Sequence, residues 1–362
     1  MASVNLGWQD GKRKRKSVYG ATRKQVSEEL TKLLHDHQRG LPIPTGRLTV
    51  EQFLERWLED VVRPSKQPGT YGNYRTTVER HLVPSLGRSQ LAKLEAHHVQ
   101  QMLQAKSDAG LKPRTVQGIQ GVLRVALNRA LKWGLVARNV ATLVEPPRAE
   151  HIERRPFTPE QVRQLLDAVK GDRLEAVITV AVALGLRQGE ILALRWDDVD
   201  LEARALRVRR SLARFDGKLR FKEPKTAASR RTIDLPEATV KALREHHKRQ
   251  KEDRLLAGGK WQEHNLVFPS RKGTPLDPSE LREQWYKLLK RAGLPHRRFH
   301  DLRHCCASLL LLQGVPARVV MEILGHTQIG TTMNLYAHVM PAARAEAAAL
   351  MDQVLAPVSK AG

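Results

Sequence analysis

The chain has 362 residues, 41% of them hydrophobic, which is enough for two or three domains each with its own core. Lys and Arg number 62 against 38 Asp and Glu, a formal net charge of +24; an excess of this size predicts a polyanionic partner, nucleic acid first. The longest apolar run, 176–186, is too short for a bilayer, and residues 1–16 lack the apolar segment of a signal peptide, so no membrane role and a cytoplasmic setting are expected.

Residues 1–40 read as a small basic unit. Asp10-Gly11 is a hairpin turn signal, and KRKRKSVYG after it reads as a short strand. Thr22 opens a helix with Val26, Leu30, Leu33 and Leu34 on one stripe. A ribbon carrying Lys12, Arg13, Lys14, Arg15 and Lys16 fits a major groove; a solvated basic tail is the plainer alternative. LPIPTG, 41–46, is a linker.

Helices dominate from 49 to 144. Thr49 and Gln52 form a capping box, followed by Phe53, Leu54, Trp57, Leu58 and Val61 at helical spacing. Further helices are expected over about 70–83, ended by Pro84 and Gly87, over 96–109, and from Pro113 to just before Gly134. Four helices with short connections predict a compact all-α domain over 47–145. Arg75, Arg80, Lys112, Arg114, Arg124 and Arg129 are its candidate phosphate contacts. The paired prolines and unpatterned charge of 145–156 mark an exposed linker.

Thr158, Pro159 and Gln161 supply an N-cap, a first-turn proline and a capping-box partner. Helices are expected over about 159–170 and 173–184. Arg187 follows an apolar helix and stands three residues before Glu190, which predicts a place at the floor of a cleft, although any single Arg is most often on the surface. ALRVRRSL, KLRFKEP and SRRTIDL then alternate as strands across 198–234. Lys225 falls at the turn between the last two, where the plain reading is a solvated lysine and Lys222 is the nearby competitor. A basic helix over 237–256 and another over 278–292 follow.

The most informative stretch runs from His300 to Tyr336. His300 and Arg303 are three apart at the head of an apolar helix and so share a face, able to converge on one anion. Gly314 and Pro316 break that helix, 317–324 forms a second, then come Gly325, His326 and, ten residues on, Tyr336, the one plausible nucleophile nearby. The adjacent Cys305 and Cys306 lie within the apolar helix as small buried hydrophobes. A zinc site built on His300, His304, His326 and these cysteines is disfavoured: the residue after His300 is Asp301 rather than the Glu of a hydrolytic zinc helix, and Arg303 would repel a dication. Residues 341–362 form a strong helix with an apolar stripe of Ala343, Ala347, Leu350, Met351 and Val354.

HDLRH, then LGH, then a tyrosine ten residues on strongly resembles the catalytic block of the tyrosine recombinases, the phage-integrase family. GLRQGEILALRWDDVD resembles the family's first arginine box, and EPKTAASRRTIDLP its lysine-bearing β-turn. The resemblance covers about 47–340, most specifically 157–340, and more loosely the first 40 residues. It implies a mainly α fold with small β-sheets (α+β): an arm-type DNA-binding unit over 1–40, a helical core-binding domain over 47–145, a catalytic domain over 157–340, and a C-terminal helix docking on a neighbouring protomer, the whole making a C-shaped clamp. It also implies catalytic roles for Arg187, Lys225, His300, Arg303, His326 and the nucleophile Tyr336, with Glu190 supporting Arg187.

The implied activity is site-specific strand cleavage and rejoining through a 3′-phosphotyrosine, without metal, nucleotide or other cofactor, during integration or excision of a mobile element. Implied partners are double-stranded DNA at attachment core and arm sites, three further copies of the chain, a DNA-bending host protein and an excision factor. A chromosome-resolution or inversion recombinase and a type IB topoisomerase-like enzyme are the rival readings. The phenol has a reference pKa of about 10, so its attack needs a cationic pocket. Arginine forks bind the non-bridging phosphate oxygens, Lys225 protonates the leaving oxygen, and His300, expected to titrate near working pH, takes the tyrosine proton.

Overall fold

The computed structural model describes residues 2–9, 12–18, 22–27, 30–31, 48–150, 156–215, 217–223, 230–325, 351–352 and 355. Met1–Ile152 and Glu153–Gly362 are two units with separate apolar cores.

In the first unit, β1 (Ala2–Gln9) and β2 (Lys12–Val18) are antiparallel, Gln9 opposite Lys12. The basic run 12–16 thus lies on a strand; its side chains, and the turn residues Asp10 and Gly11, lie outside the described residues. Residues 23–27 are helical, with Thr22 Oγ1 accepting from Gln25 N–H at 3.3 Å and Val26 buried; Leu33 and Leu34 are not described.

Helix α1 starts at Val50–Trp57 under the Thr49–Gln52 capping box. It runs on through a wide π-turn, Leu58–Val62, into Arg63–Ser65. Helix α2 repeats the device as Pro68–Thr77, the π-turn Val78–Leu82 and Val83–Leu86. The expectation that Pro84 ends this helix is therefore corrected. A helical proline lacks an N–H and collides with the carbonyl four residues back. Ahead of Pro84 the N–H of Val83 reaches Val78, five residues back, and ahead of Pro64 that of Arg63 reaches Leu58. The wider turn moves the carbonyls away from each ring, so both prolines are carried inside continuous helices.

Helices α3 (Ala96–Asp108) and α4 (Pro113–Lys132) complete this unit. Its core holds Phe53, Leu54, Leu82, Leu123 and Trp57, the last stacked on Tyr74 at 5.6 Å. On α4 the buried positions Val116, Ile119, Leu123, Ala126, Leu127 and Ala130 form one face. Arg114 and Arg124 lie exposed, and Arg129 half-buried, on the opposite side, as the 100° step per residue requires. Arg75, Arg80 and Lys112 are exposed as well.

The second unit opens with α5 (Pro159–Ala168), capped by Thr158 and Gln161, and the buried α6 (Glu175–Leu184), which begins two residues later than expected. A short α7 (Gln188–Ile191) leads to β3 (Val199–Asp200), β4 (Ala205–Val208), β5 (Ser211–Phe215), β6 (Lys218–Lys222) and β7 (Arg231–Asp234). These form two antiparallel sheets, in the orders β3-β4-β7 and β5-β6.

Residues 205–212 are thus two strands in different sheets, not one. The buried carboxylate of Asp198 holds Arg210 at 2.7 Å and Arg209 at 3.7 Å, and the chain leaves the first sheet at that pinned pair. A second correction follows from the order: β6 pairs with β5 and β7 with β4, so β6 and β7 are not the two arms of one hairpin. Lys225 itself lies outside the described residues.

Helices α8 (Glu237–Ala257), α9 (Pro278–Arg291), α10 (Asp301–Leu312) and α11 (Ala317–Leu324) follow. The core centres on fully buried Trp285, edge-on to Phe299 at 5.7 Å and to Phe157 at 6.4 Å. Cys305 and Cys306 are buried free thiols, and burial raises their pKa values to about 11 and about 12. Of 341–362 only Met351, Asp352 and Leu355 are described; all are helical and exposed. Among the described residues no helix is long and apolar enough to cross a membrane.

Candidate active site

The site is built where two helices end. Helix α6 stops at Gly185 and α11 at Gly325, both in the left-handed conformation, at φ +57° and +66°. A side chain at either position would be strained and obstructed: a Cβ on Gly185 would overlap Leu324 Cδ2, and one on Gly325 would lie 2.9 Å from Arg231 Nη1. Helix C-termini leave carbonyls without intrahelical partners and carry partial negative charge, which suits cations.

Three arginines take those carbonyls. Arg303, one turn into α10, donates from Nη1 to Gly185 O at 2.8 Å and from Nη2 to Leu324 O at 2.7 Å. Arg187, at the N-cap of α7, donates from Nη2 to Gly325 O at 3.0 Å. Arg231, at the start of β7, donates from Nε to Ile323 O at 2.7 Å. Three consecutive carbonyls at the end of α11 are thus held by three guanidiniums from three different elements.

Glu190 lies among them. Its Oε1 accepts Arg187 Nη1 at 2.7 Å, and its Oε2 accepts the Arg187 N–H at 3.0 Å and Arg231 Nη2 at 3.1 Å. Burial opposes its ionisation, but the charge and hydrogen bond of Arg231, then Arg187, outweigh burial and hold its pKa below the usual value. Arg303 is 3% exposed; burial and then the Arg187 charge lower its pKa to about 9, which leaves it cationic at neutral pH. Among the described residues, three guanidiniums against one carboxylate leave an excess of two positive charges, which suits an anion. Each guanidinium has five N–H donors, and the contacts above occupy two each on Arg187 and Arg303.

His300 caps α10, immediately ahead of Asp301. Asp301 accepts the Arg298 N–H at 2.9 Å and pairs with its guanidinium at 2.7 Å, while Trp285 Nε1 donates to Arg297 O at 2.7 Å. Core and turn together fix where His300 starts. Burial first, then His304 and Arg303, push its pKa down to about 4, although the residue as a whole is exposed. That shift favours the neutral ring, the form that accepts a proton.

The structure therefore brings together Arg187, Glu190 and Arg303, with His300 on the same helix as Arg303. Lys225, His326 and Tyr336 lie outside the described residues. Lys222, the competitor to Lys225, is on β6 with Nζ 5.7 Å from the Phe215 ring centre. Arg231 was not anticipated. In SRRTIDL it reads as one of two adjacent strand arginines, and only the alternation of strand faces, which puts it opposite exposed Arg230, hints at burial.

Comparison with known proteins gives the family. The phage integrase family model matches residues 155–342, and that of the phage integrase N-terminal SAM-like domain matches 49–107. A tyrosine recombinase XerC-like protein of Caldanaerobacter subterraneus subsp. tengcongensis is 32% identical over 96% of this chain and 93% of its own length. The chain belongs to the phage integrase family. An integrase of Streptomyces ambofaciens is 34% identical over 93% of this chain and 88% of that protein. Among solved structures, the Tn1549 transposon integrase in complex with a circular intermediate DNA superposes with a TM-score of 0.72 at 21% identity, covering 84% of this chain and 99% of that one. A lambda integrase from a tetramer bound to a Holliday junction gives 0.62 at 18% identity, covering 89% of each. This integrase is thus a tyrosine recombinase, of the family that catalyses DNA cleavage and rejoining.

Proposed function

We propose that the chain integrates or excises a mobile element by site-specific strand exchange, with Tyr336 as the nucleophile. The observation that carries this reading is the cationic cluster of Arg187, Arg303 and Arg231 around Glu190, placed by the end of α11 one residue before His326. Arg187 and Arg303 hold the non-bridging oxygens of the scissile phosphate with their remaining donors. The Tyr336 oxygen bonds to phosphorus as the phosphorus–5′-oxygen bond breaks. Neutral His300 accepts the phenolic proton, Lys225 gives one to the departing 5′-oxygen, and His326 donates a hydrogen bond to the phosphate. The resulting 3′-phosphotyrosine conserves the bond, so attack by a 5′-hydroxyl reverses the step without an energy source.

In this reading the units around 1–40, 47–145 and 157–340 are arm-binding, core-binding and catalytic parts closing on duplex DNA, with the cations 12–16, Arg75, Arg80, Lys112, Arg114, Arg124 and Arg129 as phosphate contacts. Four chains assemble on two sites through the 341–362 helix, in the cytoplasm of a bacterial host. A DNA-bending host protein and an excision factor complete the partner set. A relative named for a mobile element, the ICEBs1 integrase of Bacillus subtilis, 26% identical over 95% of this chain, supports the mobile-element role. Trapping of a covalent DNA adduct that depends on Tyr336 tests the reading.

A further inference from the structure

We propose that Arg231 is a positioning residue for strand cleavage, holding Arg187 through Glu190 and the end of α11 through Ile323, so that the two phosphate-binding guanidiniums are set before DNA arrives. The inference rests on the strand-cleavage reading above and extends it to a residue that holds Glu190 and the Ile323 carbonyl.

Arg231 has a side chain 7% exposed, and it reaches two different elements: Glu190 on α7 and the Ile323 carbonyl on α11. Each contact leads in one step to the phosphate site. Glu190 fixes Arg187 through two hydrogen bonds, and Ile323 is followed directly by Leu324 and Gly325, whose carbonyls Arg303 and Arg187 hold. Only a planar fork spans both directions at once, Nε to the carbonyl and Nη2 to the carboxylate; a lysine presents a single ammonium. The left-handed turn at Gly325 is also built against this guanidinium, since a Cβ there would meet Arg231 Nη1 at 2.9 Å.

A purely stabilising role is the plainer alternative. Burying a third cation beside two others is a poor way to gain stability, because apolar side chains of similar volume usually serve at least as well. The arrangement makes better sense as preorganisation, with cations held where negative charge develops in the transition state. Arg230, the preceding residue, supplies the contrast: it is 62% exposed and pairs with Glu223 at 2.6 Å.

The test uses the full chain and the duplex recovered from covalent trapping on wild type, resynthesised with either a phosphodiester or a neutral methylphosphonate at the mapped cleavage position. Single-turnover adduct formation and DNA affinity are measured for wild type, Arg231→Gln, Arg231→Lys and the charge-matched Arg230→Gln. Expected is a loss of about 100-fold in adduct rate for Arg231→Gln, on the scale of one lost preorganised donor, with affinity within about threefold, only partial recovery in Arg231→Lys, and little change in Arg230→Gln. On the methylphosphonate, which demands less cationic charge, the gap to wild type should shrink at least tenfold; a fold defect would not respond to the charge of the phosphate. If Arg231→Gln does not fold, Arg231→Lys carries the same comparison. Rates within twofold of wild type, or a gap that is the same on both linkages, would overturn the role of Arg231 while leaving the wild-type adduct intact. A wild-type chain that forms no Tyr336-dependent adduct would overturn the parent reading, and this inference with it.

Discussion

Arg303 and Gly185 lie 118 residues apart in sequence, and the Arg303 guanidinium donates to the Gly185 carbonyl at 2.8 Å. That bond ties the head of α10 to the left-handed end of α6. The same guanidinium reaches Leu324 at the end of α11, so one buried arginine joins three helices. The arginine cluster is therefore inseparable from two helix C-termini and the glycines that form them.

Gly185→Ala should damage both stability and activity. The alanine would sit at φ +57° and its Cβ would overlap Leu324; strain and overpacking together amount to about 2–4 kcal/mol. Gly171→Ala is the control: at φ +74° with nothing within 4 Å of its Cβ, it should cost about 1 kcal/mol. Urea unfolding of both variants measures the difference.

Glu190→Gln keeps the shape of the side chain and removes the one negative charge among Arg187, Arg231 and Arg303. Leaving buried cations uncompensated should cost about 3 kcal/mol. Because the defect is an excess of positive charge, sulfate should raise the Tm of the variant by more than it raises that of wild type. Equal responses to sulfate would count against an anion-demanding cluster.

Acid should weaken the fold through His246. Its Nε2 lies 2.6 Å from the Val267 carbonyl and so donates to it, and burial first, opposed by that bond, lowers its pKa from 6.5 to about 4. With the folded value below the unfolded one, the unfolded chain takes up the proton first. Stability is therefore retained above about pH 6.5 and lost as pH falls from there towards about 4. His300 shifts in the same sense. Comparing denaturation midpoints at pH 7, 6 and 5 for wild type and His246→Gln isolates the effect: the variant should be less stable at pH 7 and lose less on acidification.

Activity should tell a related story at His300. With its pKa near 4 it is already neutral at pH 6, so the single-turnover adduct rate at saturating DNA should show no acid limb near 6.5. A limb centred there, absent in His300→Gln, would show that the histidine titrates in the working range.

Much of this was legible in the sequence because the signals were local. The capping boxes at Thr49 and Thr158 start their helices as their hydroxyl and glutamine types predict, with both reciprocal hydrogen bonds formed. Arg187 and Glu190, and His300 and Arg303, are each three residues apart, so helical geometry alone predicts that each pair acts together. What escaped depended on partners distant in sequence. Proline reads as a helix end unless the π-turn ahead of it is known, and one residue of extra ladder carries no sequence signal. The break within 205–212 falls where Arg209 and Arg210 pair with Asp198, and Arg231 is held by Glu190 and Ile323, 41 and 92 residues away. Which of two neighbouring arginines is buried depends on sheet register, which short polar strands specify weakly.

The most direct test of the central claim is covalent trapping. Wild type and Tyr336→Phe are incubated with fragments from host and element genomes, denatured in SDS, and the DNA still bound to protein is sequenced. The account requires adducts with wild type alone, at one or two defined sites. Adducts scattered across the genome would point to topoisomerase behaviour, and equal trapping by Tyr336→Phe would show that the nucleophile is a different residue.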